Sequence, residues 1–191
     1  MATAILLSEQ RLKQLTNLDD NIRVEEITPF ILQAQDLYLQ DRLGTKFFDR
    51  LKNGIIADDL NADEKALLND YISQTLAHYA LYLMLPGLKY KLVDKGILSG
   101  ESEETGATTL DELKYLRQTT LDTAEFYDER LRERLCDLPS GTFPEYSSPG
   151  SDGMMPNGQK PYFSGLVTPK PYRKYETTNP EDECSDCTQN V

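Results

Sequence analysis

Apolar residues recur at helical spacing from near the start of this chain to about Leu138, and beyond that point the periodicity is lost. Ser8 is placed to cap a short opening helix running to about Leu15. Thr28-Pro29 reads as an N-cap followed by proline in the first helical position, where its fixed φ helps and its missing N–H costs nothing. Phe30, Ile31, Ala34, Leu37, Tyr38 and Leu43 continue at helical spacing until Gly44 stops the run. Thr45 predicts a second short helix carrying Phe47, Phe48 and Leu51 and ended by Asn53-Gly54. Asn61 with Glu64 three residues on resembles a capping box. It precedes a central helix bearing Leu67, Leu68, Tyr71, Ile72, Leu76, Tyr79, Ala80, Leu83 and Met84, which Pro86-Gly87 is expected to break or kink. Residues 77–85 are apolar nearly all round and should be the most buried stretch. Thr109 with Glu112 opens a long last helix whose stripe is Leu110, Leu113, Leu116, Leu121, Ala124, Tyr127, Leu131 and Leu135. Residues 98–108 read as an exposed acidic loop, and no useful β-alternation or internal repeat is visible. The expected fold class is all-α, a small antiparallel helical bundle with a long irregular C-terminal arm.

Proline sets the boundary of that arm. Only Pro29 and Pro86 precede Leu138, while eight of the ten prolines fall in the last 53 residues, too dense for a helix of ordinary length. The division is therefore a helical domain over residues 1–138 and an extended arm over 139–191. Phe143, Tyr146, Tyr162, Phe163, Leu166, Val167, Tyr172 and Tyr175 give the arm too many large apolar groups for a solvated spacer. Flanking prolines lower the ordering cost of binding, and aromatic anchors carry much of an interface's energy, so these eight are the candidate partner-binding residues.

Composition narrows the function classes. With 39% hydrophobic and 27% charged residues, the chain can form an ordinary core. Its net charge of −12 repels phosphate backbones and disfavours tight nucleic-acid binding, without preventing DNA from passing nearby. The opening residues lack a basic n-region, and no apolar run approaches the ~20 residues of a membrane span, so the chain reads as a soluble protein made in a cytoplasm. Three cysteines do not suit a secreted disulfide framework.

No catalytic constellation emerges. His78 is the only histidine and sits in the most apolar helix, where a packed structural role is the expected one. The carboxylate pairs Asp19-Asp20, Glu25-Glu26, Asp58-Asp59 and Glu103-Glu104 lie in polar stretches that read as solvated surface. Cys184 and Cys187 have zinc-knuckle spacing but lack a second pair, and Glu181, Asp182, Glu183 and Asp186 beside them discourage thiolate formation. Neither GxGxxG nor GxxxxGK[ST] occurs. The expectation is a non-enzyme without metal or cofactor.

The stretch from Ile27 to Gly44, with Ile31-x-x-Ala34-Gln35 and Leu43-Gly44, followed by Phe47-Phe48-x-x-Leu51, resembles the head–tail connector (adaptor) proteins of tailed bacteriophages. The Tyr-, Ala- and Leu-rich helix from Leu67 to Leu85 and the long last helix extend the likeness over Ser8 to Leu138. It is most similar to versions from crAss-like and other Bacteroides phages; the arm has no matching counterpart. The resemblance implies a structural virion protein at the head–tail junction. Neighbouring copies, commonly twelve, would form a ring beneath the portal protein, meet the next tail or ring protein, and enclose a channel through which genome DNA passes without specific binding. No membrane is involved. Removal of residues 140–191 should leave a folded body that incorporates poorly. The alternative function is a soluble helical regulatory or scaffold-binding module whose Pro-rich tail is a peptide ligand.

Overall fold

The computed structural model describes residues 4–93, 96–99, 110–139, 141–150 and 153–157. The fold is all-α, and it places one long helix between two others. The central helix comprises α5 (Ala62–Leu67), a π-helical turn (Leu68–Ile72) and α6 (Ser73–Lys89). On one flank runs α2 (Val24–Ala34), a second π turn (Gln35–Leu39) and α3 (Gln40–Leu43); on the other lies α7 (Leu110–Asp137). Both flanking helices are antiparallel to the centre. Phe30 meets Gly87 while Tyr38 stacks on Tyr79 at 3.9 Å, and Arg117 lies over Tyr82 while Arg134 lies over Tyr71. Two shorter helices, α1 (Glu9–Leu15) and α4 (Thr45–Ala57), close the remaining sides.

The local signals explain most of these ends. Ser8 Oγ accepts from the Arg11 N–H and caps α1. Asn61 and Glu64 exchange backbone–side-chain bonds of 2.7 and 2.8 Å, a complete capping box. Buried Ile27, Ile31 and Ala34 from α2, Leu76, Ala77 and Met84 from α6, and Ala124, Leu131 and Leu135 from α7 meet Phe47, Phe48 and Leu51 of α4 in one core.

Four ends differ from the sequence reading. First, α2 begins at Val24, so Pro29 is inside the helix and Thr28 is not a cap; the Thr28 hydroxyl donates instead to the Val24 carbonyl. Acidic Glu25 and Glu26 favour a start there by opposing the positive N-terminal end of the helix dipole. Second, α4 runs through Asn53-Gly54 and stops at Asp58, in the left-handed conformation. Gly54 serves packing instead of termination, because a Cβ there would lie 2.5 Å from Leu60. Third, α6 continues through Pro86-Gly87. A Cβ on Gly87 would approach the Phe30 ring to 3.0 Å, so the glycine admits a close crossing of α2 and α6. Fourth, α6 leads into a hairpin, β1 (Tyr90–Val93) and β2 (Gly96–Ser99), paired antiparallel from Tyr90↔Ser99 to Val93↔Gly96. Four-residue strands are too short to announce themselves by alternation. The rest of the expected acidic loop, residues 100–108, and the cap at Thr109 lie outside the described residues.

The apolar opening of the chain is part of the core. Leu6 and Leu7 are buried, and the segment is pinned by Gln35, itself fully buried. Gln35 Oε1 accepts from the Leu6 N–H at 2.7 Å, and its Nε2 donates to the Ala4 carbonyl at 3.3 Å. The side-chain amide thus satisfies two backbone groups that would otherwise be buried unpaired. Ala34 beside it is also fully buried, leaving the closely packed side of the helix without bulk.

Candidate interaction surface

The first part of the arm lies on its own body. After α7, the chain turns so that Phe143 enters the core, 4% exposed, with its ring 4.9 Å from that of Phe47. A one-turn helix, α8 (Pro144–Ser147), follows and sets Tyr146 edge-on to Phe47 at 6.1 Å. Lys46 Nζ donates to the Ser148 carbonyl. Residues 153–157 then cross the elbow between α3 and α4. Thr45 N donates to the Met154 carbonyl, and Met154 N donates to Thr45 Oγ1, both at 2.9 Å. Asn157 donates its backbone N–H to the Asp41 carbonyl and its amide to the Asp41 carboxylate.

Glycine is required on both sides of this crossing. Gly44 has φ +73°, and a Cβ there would lie 2.7 Å from Pro156 Cδ. Gly153, at φ +107°, would place a Cβ 2.7 Å from Thr45. The Leu43-Gly44 turn ends α3, opens α4 and provides the seat for the strap.

Beneath the strap lies a buried ion pair. Arg42 Nε donates to both Asp128 oxygens, at 2.9 and 2.7 Å, and its Nη1 donates to the Asn157 carbonyl at 2.9 Å. One guanidinium therefore joins α3, α7 and the strap. Burial pushes the Asp128 carboxyl up, and the hydrogen bond and charge of Arg42 only partly pull it back. Burial also pulls Arg42 down, but Asp128 outweighs this and the guanidinium stays charged. Burial, then the Asp128 charge, raises the Tyr79 phenol as well, so it stays protonated. A second link, Arg50 to buried Glu64, ties α4 to the capping box of α5. These charged groups stitch elements together.

The structure corrects one assignment among the expected partner-binding residues. Phe143 is a core residue of its own chain, because the Phe47 side of α4 leaves an apolar hollow that the returning strap fills. Tyr146 is half-buried at the edge of the same hollow. Tyr162, Phe163, Leu166, Val167, Tyr172 and Tyr175 lie outside the described residues, as do Cys184 and Cys187. Among the described residues, no group of three or more His, Cys, Asp or Glu could hold a metal ion, and no helix is long and apolar enough to cross a membrane.

His78 is half-buried and stacks flat on Tyr127, with centroids 5.0 Å apart. Burial lowers its pKa from the ordinary 6.5. The unfolded chain protonates His78 near that pH while the folded chain resists, so this contribution is full above pH 6.5 and is lost as the pH falls below it. Thermal melts should therefore show the melting temperature falling as pH drops from 7.5 toward 5.5. His78→Phe, which keeps the stack but cannot titrate, should flatten that slope; an unchanged slope would rule His78 out as its source.

The surface missed by sequence reasoning is on α7. Leu113, Ala124, Leu131 and Leu135 are buried as the stripe requires, but Leu110 and Leu116 are exposed. Tyr115 and Phe126, outside the stripe, stand 71% and 63% exposed. They are eleven residues apart, three helical turns, and share the face turned away from the core.

Fold and surface together define a small helical module, closed by its own C-terminal strap and carrying an aromatic outer face. The chain belongs to DUF6712, a family of unknown function whose model matches residues 39–152, more than half of the chain. That match runs from the second half of the Ala34-Gln35 helix through the elbow, α7 and most of the strap. No curated protein and no solved structure matches the chain.

Proposed function

We propose that this chain is a structural virion protein of a tailed phage, one subunit of a ring between portal and tail that encloses the DNA channel. The observation that carries this reading is the outer face of α7, where Tyr115 and Phe126 stand exposed three turns apart on the same side of the helix. Exposed apolar residues grouped in this way mark an interaction site, and a closed ring buries such a surface between different patches of adjacent copies.

Three features support it further. The residues behind the connector resemblance have concrete structural duties here: Ala34-Gln35 anchors the N-terminal segment and Leu43-Gly44 seats the strap. Three buried charged groups are held from other elements, Arg42 and Asp128 by each other and Glu64 by Arg50, which suits a rigid building block. A net charge of −12 keeps DNA moving past such a ring without adhesion. Native mass spectrometry across a range of concentrations, together with imaging of assembled particles, tests the proposal. Closed oligomers, or density for this chain beneath the portal, are expected. A chain that stays monomeric at high concentration and binds a partner unrelated to the virion would overturn it.

A further inference from the structure

Residues 158–175 contain Lys160, Lys170, Arg173 and Lys174 and no acid, a charge of +4 within a chain of net −12. The same stretch holds Tyr162, Phe163, Leu166, Val167, Tyr172 and Tyr175. It is thus a basic aromatic segment set in an acidic protein. The outer face of α7 has the complementary character. Tyr115 and Phe126 stand in water there, and Asp122 lies between them, seven residues beyond Tyr115 on the same face. Between Arg117 and Arg130, α7 carries Asp122, Glu125, Asp128 and Glu129 and no basic residue. Asp122 and Glu125 are exposed.

We infer that this face of α7 receives residues 158–175 from a neighbouring copy of the chain. The inference rests on the ring reading and assigns its contact. Charge complementarity selects the segment, because every other acid-free stretch of the chain carries at most two lysines or arginines. Reach permits it: eighteen extended residues span up to ~60 Å, against ~17 Å from Tyr115 to Phe126 along the helix. The exit point favours a neighbour. Asn157 is held by Arg42, and Arg42 grips Asp128, which is two residues past Phe126 and so about 200° around the helix. The described strap ends at Asn157, on the side of α7 opposite its own outer face, and no described strap residue touches that face. Aromatic side chains then stack on Tyr115 and Phe126 while the lysines meet Asp122 and Glu125.

Crosslinking of the full-length chain tests this. Isotopically heavy and light copies are mixed and treated with a zero-length reagent that joins amines to carboxylates, and the products are read by mass spectrometry. Heavy–light links from Lys160, Lys170 or Lys174 to Asp122 or Glu125 are expected. The Tyr115→Ser/Phe126→Ser variant should lose them while keeping its helix content and melting temperature, since both rings stand in water. Links confined to one isotope would place the arm on its own body and overturn the inference, and so would lysine links to acids outside α7. An oligomer by native mass spectrometry that lacks the α7 links sinks this contact and leaves the ring reading standing, whereas a persistent monomer sinks both.

Discussion

Arg42→Met is expected to destabilise the fold by about 3–5 kcal/mol at neutral pH, the cost typical of removing one partner from a buried ion pair. The methionine fills much of the arginine's volume but leaves the Asp128 carboxylate buried without its cation. It also removes the donor to the Asn157 carbonyl, so the strap loosens with it. The pH dependence identifies the cause. Without Arg42, only the weaker charge of Arg132 opposes the burial that already raises the Asp128 carboxyl, and the folded state prefers it protonated. A folded pKa raised above the unfolded value means that stability is retained below the ordinary carboxylate range and lost as the pH rises through the folded value. Denaturant titrations should therefore show a deficit that shrinks toward acidic pH. Asp128→Asn should be costly as well but without that trend, because the stranded arginine cannot shed its charge. Arg42→Met with Asp128→Leu should recover much of the loss, as apolar replacement of a whole buried pair often does. A deficit for Arg42→Met that is small and independent of pH would mean the pair is not sequestered from water.

Phe143→Ala should cost about 3–5 kcal/mol, the range for deleting a buried aromatic ring. The ring fills the hollow beside Phe47, and its loss leaves a cavity that rigid α4 cannot collapse. The corresponding truncations separate strap from arm. Under reducing conditions, which open the Cys136 disulfide, a chain ending at Asn157 should unfold at the same denaturant concentration as the full chain. A chain ending at Pro139 should be destabilised at least as much as Phe143→Ala, because it also loses Tyr146 and the Thr45–Met154 bonds. The folded body expected on removal of residues 140–191 should therefore be less stable than the full chain. Equal stability of both truncations would show that the strap contributes nothing to the fold.

These two residues mark the limit of what local pattern reveals. Phe143 lies in a Pro-rich stretch without periodicity, and from its neighbours it is indistinguishable from Tyr162 or Tyr172. Its burial depends on Phe47 in α4, 96 residues earlier in the chain. Arg42 and Asp128 look like surface charges on amphipathic helices, and 86 residues separate them. Neither sequence neighbourhood shows that the two helices turn these charges toward one another. The candidate surface was hidden for a similar reason. Tyr115 and Phe126 fall off the apolar stripe and draw attention only when the core face of α7 is known.

What the sequence determined by itself was whatever is governed within a few residues: helical periodicity, the Ser8 cap, the Asn61–Glu64 box, the stop at Leu43-Gly44 and the end of α7 at Asp137, just before the prolines crowd in. Capping, turn conformations and side-chain spacing are local interactions, so their signatures are written locally. Tertiary structure decided the rest. It carried α2 through Pro29 and α6 through Pro86-Gly87, where packing against neighbouring helices outweighs a lost hydrogen bond. It paired Arg42 with Asp128, gave Gln35 the Ala4–Leu6 backbone to hold, and drew Phe143 out of the arm and into the core. Each of these depends on which distant surfaces meet, and burial makes such meetings energetically decisive although no neighbouring residue encodes them.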